Sequence, residues 1–188
     1  MGFQRGFKAE ANRIALRVRA NMDLRPIDPI DPAAVCAHFD IALIKLSAVA
    51  PACAFLGRES STFSAVTVPC GSQTAIVHND VHHDYRQRSN ICHELAHCFL
   101  GHECTPPLTE DGDRAHDGGV EAEANYLSGV LLIPNEAAIH IVRQGLVSQA
   151  QRIYGVSGPM LTYRLRVSGA HRIHERHLQN ALRRSVGR

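Results

Sequence analysis

The chain has 188 residues, 45% of them hydrophobic and 20% charged, with a formal net charge of +2. That length supports one core of ordinary size, and no apolar run approaches the roughly 18 residues of a membrane span. No apolar stretch of the signal-peptide type opens it, so a cytoplasmic protein is expected, and its six cysteines, with no Cys-x-x-Cys pair among them, read as reduced thiols.

Phe7, Ala11, Ile14, Val18 and Met22 recur at helical spacing between arginines and predict an amphipathic helix over residues 5–22. Glu10 interrupts the positive charge, which argues against an Arg-rich targeting leader. Pro26, Pro29 and Pro32 then break the chain. Asp31 before Pro32 supplies an N-cap and a proline at the first helical position, so a short helix should run to Phe39. Residues 41–46 form a brief β-favouring run. Residues 52–56, 63–68 and 74–77, separated by Gly57, Ser60-Ser61 and Gly71-Ser72, have the texture of a small antiparallel sheet. An edge of such a sheet can take up an extended peptide as a further strand, which makes one of these strands a candidate substrate shelf; otherwise the sheet only backs the helix that follows.

Residues 89–101 hold the chemistry. His93-Glu94-Leu95-Ala96-His97 is an H-E-x-x-H pattern on a helical run, with Ile91, Leu95, Cys98 and Phe99 as its apolar stripe. Imidazoles four residues apart stand roughly 40° apart around the axis and about 6 Å along it, so both can reach one metal ion. Zinc takes neutral imidazole nitrogens, and a catalytic zinc needs a third protein ligand and an open position for water. Glu94 lies roughly 100° round the helix from His93, beside that position, where it could act as general base. The plainer alternative is two histidines on an ordinary amphipathic helix. His82 and His83 lie about three turns before His93 and read as surface residues.

A third ligand should come from a later helix. Residues 118–133 provide one, opening after Gly118-Gly119 and closing before Pro134. Glu121 and Glu123 both lie in its first turns, but only Glu121, four residues before Asn125, shares that amide's face. Glu121 is therefore the expected ligand and Glu123 the alternative, with Asn125 placed to accept the free N–H of a metal-bound imidazole. The intervening 103–119, rich in acids, glycine and proline, reads as a loop and a candidate lid, from which His102 or His116 could approach the metal. Cys98 and Cys104 lie near but match no usual zinc spacing.

Beyond Pro134, residues 135–144, 148–154 and 157–167 read as short helices broken by Gly145 and Gly155, with Ser157 as an N-cap. The rhythm over 149–168, with Tyr163-Arg164 on a basic face, is similar to a helix-turn-helix. From Arg143 onward there are nine arginines and one acid, Glu175, whereas residues 103–123 hold seven acids and only Arg114. Residues 171–188 form a basic tail expected to be helical to Leu182. The expected organisation is a segment 1–144 with a helical segment 145–188 packed on it, or one domain overall.

One family resemblance covers nearly the whole chain. His93-Glu94-Leu95-Ala96-His97 followed by Phe99-Leu100-Gly101-His102, then Glu121-Ala122-Glu123-Ala124-Asn125 leading to Leu131-Leu132-Ile133-Pro134, resembles the ImmA/IrrE family of metallo-endopeptidases. The opening Arg5-Gly6-Phe7-Lys8-Ala9-Glu10-Ala11, and later Val156-Ser157 with Tyr163-Arg164-Leu165, are also similar to stand-alone members. Cys92 and Cys98 depart from the apolar residues more usual beside the motif, which puts their thiol reactivity in question. Elements and resemblance together give an α+β, zincin-like fold, in which a small antiparallel sheet packs on the H-E-x-x-H helix and a third-ligand helix, followed by a helix-turn-helix-like segment. The resemblance implies that His93, His97 and Glu121 hold Zn2+, a role the donor set also allows to Mn2+, and that Glu94 is the catalytic base. The substrate it implies is a protein, a DNA-binding repressor of the helix-turn-helix type. The competing reading is a non-catalytic, metal-containing regulator that binds DNA or a partner protein through its basic C-terminal helices.

Overall fold

A computed structural model of the chain describes residues 3–52, 63–71, 73–102 and 118–186. Helix α1 (Phe7–Asn21) is followed by α2 (Pro32–His38), where the Asp31 side chain accepts the Ala33 N–H, as the sequence predicts. Strand β1 (Ile41–Lys45) runs straight into the one-turn helix α3 (Leu46–Val49), and strands β2 (Ala65–Cys70) and β3 (Gln73–His78) follow. Helices α4 (Asp84–Leu100) and α5 (Gly118–Leu132) come next, then α6 (Asn135–Arg143), α7 (Val147–Tyr154), α8 (Gly158–Val167) and α9 (Ala170–Val186).

The fold is mixed α+β, but the sheet differs from the antiparallel one expected. Its order is β1-β3-β2: β2 pairs antiparallel with β3, while β1 pairs parallel with it, Ile41 opposite Thr74 and Lys45 opposite His78. Burial explains the arrangement. β3 carries Ala75, Ile76 and His78 out of solvent and takes the centre, whereas β2 contains Pro69, which lacks an N–H and suits an edge. The connection from β1 to β3, which includes β2, is long enough for the crossover that parallel pairing requires. The strand expected at 52–56 falls largely on residues outside those described, as does nearly all of the loop 103–119.

Helix α5 is the centre of the molecule. Ala124 and every residue from Tyr126 to Leu132 are buried, a burial all round that fits its run of apolar residues. α4 covers one side of it in the most extensive helix–helix contact, with α1 and α8 packed on other sides. Pro134 stops the helix and leaves its last carbonyls without intrahelical partners, and two buried guanidiniums take them. Arg19 donates to the carbonyls of Leu131 at 2.8 Å and Leu132 at 3.4 Å; Arg164 donates to that of Ile133 at 2.8 Å. Burial lowers the Arg19 pKa to about 10, which leaves it a cation at neutral pH.

Arg164 therefore lies in the core and not on a basic face. Ser157 caps α8, accepting the Met160 N–H, as expected. Ala150, Tyr154, Val156, Leu161, Leu165 and Ala170 belong to the same buried cluster as Leu95 and Leu127, and α9 continues past Leu182 to Val186. No described helix is long and apolar enough to cross a membrane. Cys36 and Cys92 are buried among these side chains, which pushes both thiols up to about 12 and keeps them protonated and inert.

Two stability measurements follow from this packing. Leu127 is fully buried in the central helix, so Leu127→Ala should lower the unfolding free energy by about 2–5 kcal/mol, read from urea denaturation. Burial holds the His78 pKa below the ordinary histidine value, helped by Lys45 and opposed by Asp80. A depressed pKa means that the unfolded chain binds the proton more readily, so this contribution is lost as pH falls through about 6.5. Melting temperatures between about pH 7.5 and 5.5 should therefore fall less steeply in His78→Asn than in the wild type.

Candidate metal centre

Helix α4 sets the site by burying one face and presenting the other. Ile91, Cys92, Leu95 and Ala96 are buried, His93 and His97 meet Glu121 near the start of α5, and Glu94 meets β2. The His83 ring accepts the Tyr85 N–H and caps the helix, and His82 lies against Asn90; neither reaches the motif. At the other end Gly101 adopts the left-handed conformation, φ 67°, that ends many helices. The chain reverses there, and the His102 N–H returns to the His97 carbonyl at 3.1 Å.

Three donors converge between the helices. His93 Nε2 and His97 Nε2 are 3.1 Å apart. The Glu121 carboxylate reaches both, Oε2 lying 3.4 Å from His93 Nε2 and Oε1 3.5 Å from His97 Nε2. Four donors at about 2.0–2.1 Å around a tetrahedral zinc stand roughly 3.3 Å from one another, so these spacings fit a single ion. Among the described residues His93, His97 and Glu121 are the group that could hold one. Burial lowers the pKa of both imidazoles, and the neutral ring is the form that offers a nitrogen lone pair to a metal.

The neighbours of these donors divide clearly. Glu121 meets the imidazole pair, while Glu123, the alternative, faces His102 Nε2 at 3.6 Å. Asn125 hydrogen-bonds the His93 ring. His102 lies against the far edge of His97, the two Nδ1 atoms 3.0 Å apart, and so falls outside the donor group. Cys98 is likewise outside it, and His116 and Cys104 are not among the described residues.

Glu94 has a partner that sequence reasoning missed. The Thr67 hydroxyl, on edge strand β2, donates to Glu94 Oε2 at 2.7 Å. Burial raises the Glu94 pKa, with the Thr67 bond and His97 acting against it. The only sequence sign of Thr67 is a hydroxyl within an otherwise apolar strand. Beside His93 a cleft of about 420 Å³ opens, lined by Ser64, Ser89, Asn90, Asn125, Ser128 and Tyr163 among others. The tyrosines sort themselves by burial: Tyr126 packs on Phe3 and Phe7, the Tyr154 hydroxyl donates to the Ile27 carbonyl, and Tyr163 faces the cleft.

Residues 37–166 match the family model Peptidase_M78, described as an IrrE N-terminal-like domain. No curated protein matches the chain. The matched span holds the whole donor group, Glu94, Thr67 and Tyr163.

Metal content by mass spectrometry should give about one equivalent of zinc for the purified protein. Glu121→Ala and His97→Ala should each lose it, whereas Asn125→Ala should keep it with about 10–100-fold weaker affinity, measured against a competing chelator.

Proposed function

The chain belongs to the Peptidase_M78 family through its IrrE N-terminal-like domain, and on that footing we propose that it is a zinc-dependent endopeptidase. Its substrate on this reading is a protein, a helix-turn-helix transcriptional repressor of the kind that the sequence resemblance implies, cleaved to release the genes it holds silent. The observation that carries the catalytic part is the placement of Glu94: a half-desolvated carboxylate, fixed by Thr67, beside two neutral imidazoles and a carboxylate spaced for one ion.

His93, His97 and Glu121 would hold the metal. Bound there, zinc supplies a Lewis acid and brings the pKa of a coordinated water toward about 7. Glu94 would take a proton from the water that attacks the scissile carbonyl and later deliver it to the departing amine nitrogen. Its raised pKa, caused by burial, makes it a better proton acceptor than a solvated carboxylate. Thr67 holds one carboxylate oxygen and leaves the other for the water. Tyr163 is the donor assigned to the carbonyl oxygen as that atom gains negative charge. Burial pushes its phenol further above the ordinary tyrosine value, so it remains a donor at neutral pH.

Edge strand β2 gives the substrate its track. In the described sheet its one partner is β3, so its other edge can accept an extended peptide by backbone hydrogen bonds. A peptide laid there passes beside Thr67, and hence beside Glu94. Of the basic C-terminal helices that the competing regulator reading needs, α8 has its Arg164 buried in the core, while Arg172, Arg176 and Arg183 on α9 are exposed.

Incubation with a repressor encoded beside it should yield a discrete cleavage product on a gel. Glu94→Gln should keep its zinc and lose the rate by about 10²–10⁴-fold, which separates base catalysis from a structural metal site. Tyr163→Phe should lower kcat by about 10²–10³-fold at unchanged zinc content, measured on the same substrate. Full cleavage by Glu94→Gln would overturn the proposal.

A further inference from the structure

The Gly101 turn leaves one histidine that the reaction does not use. His102 folds back over the last turn of α4, its side chain only 11% exposed, with Nδ1 3.0 Å from His97 Nδ1 and Nε2 3.6 Å from Glu123 Oε2. Proton placement along this row follows from the donor geometry. His97 turns Nε2 toward His93 Nε2 and Glu121, so that nitrogen must keep its lone pair free for a metal. A neutral imidazole with a bare Nε2 carries its proton on Nδ1. His97 Nδ1–H then donates to His102 Nδ1, which must be bare, and the His102 proton is on Nε2, aimed at Glu123. At 3.6 Å that last pair is an electrostatic contact that a small side-chain rotation closes to a hydrogen bond.

We propose that His102 and Glu123 are positioning residues, a carboxylate–imidazole row that fixes the tautomer and ring orientation of His97 and raises its affinity for the metal. The inference rests on the reading of His93, His97 and Glu121 as metal ligands. It assigns Glu123 a task different from that of Glu121, although the two stand two residues apart on α5. The row also gives the His93 and His97 rings separate supports, Asn125 for the first and His102 with Glu123 for the second. Outer contacts of this kind orient imidazole ligands and hold their basicity, and their loss weakens metal binding by about 10–100-fold.

The test is zinc affinity of the full chain by chelator competition, beside a nitrogen-15 NMR assignment of the His97 tautomer in the metal-free protein. His102→Ala and Glu123→Ala should each bind zinc about 10–100-fold more weakly, with unchanged melting of the metal-free form. His102→Asn places an amide oxygen near the lost Nδ1, and Glu123→Gln keeps a carbonyl acceptor; both should recover much of the loss. Because Glu123 acts through His102, the double alanine variant should be no weaker than His102→Ala alone. In the wild type His97 should carry its proton on Nδ1, and in His102→Ala the two tautomers should mix.

Zinc affinity within twofold of wild type in His102→Ala, or additive losses in the double variant, would overturn the row while leaving the metal site intact. Complete loss of zinc in Glu123→Ala, matching His97→Ala, would make Glu123 a ligand and overturn it too. A wild type without zinc affinity would remove the metal reading itself, and the row with it.

Discussion

Everything at the site depends on how α4 lies against α5. Two imidazole nitrogens and a carboxylate are brought to within 3.5 Å of one another with no apolar contact among them to hold them there. Lone pairs turned toward one point repel one another, so the arrangement is imposed from outside the donor group. The imposition comes from the buried faces of the same two helices. Leu95 and Ala96 on α4, Ala124 and Leu127 on α5, are all fully buried, and burial of apolar surface at about 25 cal/mol per Å² fixes the seam to which the donors are attached. Small side chains such as Ala96 and Ala124, both fully buried, leave room for two helices to pack closely.

α5 is also held at its other end, by different means. Its first turns carry the carboxylates and its last carbonyls are taken by Arg19 and Arg164. Burying a cation costs several kcal/mol unless its protons find acceptors, and each of these guanidiniums finds the orphan oxygens that a proline-terminated helix leaves behind. The helix is therefore fixed along its axis as well as across it. A shift of α5 by one residue along that axis, about 1.5 Å, would take Glu121 out of reach of one imidazole.

Much of this was legible in the sequence because local periodicity encodes it. The H-E-x-x-H spacing placed His93 and His97 on one flank, and the four-residue interval between Glu121 and Asn125 pointed to the carboxylate that lies beside them. Asp31 and Ser157 were readable as caps for the same reason: their chemistry acts within one turn. What escaped was long-range. The parallel pairing of β1 with β3 joins segments more than 30 positions apart, a property of the whole sheet. Thr67 meets Glu94 across 27 positions, and nothing nearby in the chain announces it. His102 was visible only as a residue that could approach a metal. Its actual place follows from Gly101, whose positive φ turns it back on His97, and a glycine at a helix end is readable only once the end is known. Arg164 looked like part of a basic surface, since sequence records charge and not burial.

Arg19 has a consequence for where this protein begins as a cooperative unit. It lies on α1, ahead of the span 37–166 that sequence similarity delimits, yet it supplies the protons for the end of the central helix. Ala11, Ala15 and Val18 on the same helix are buried, Asn12 donates to Glu136 on α6, and the Tyr154 hydroxyl reaches back to Ile27. A fragment trimmed to the matched span would lose these partners together and expose three adjoining faces of the core at once. The segment that carries the family's sequence signature is thus shorter than the segment that shares this core, and the leading helix helps to keep the donors in register.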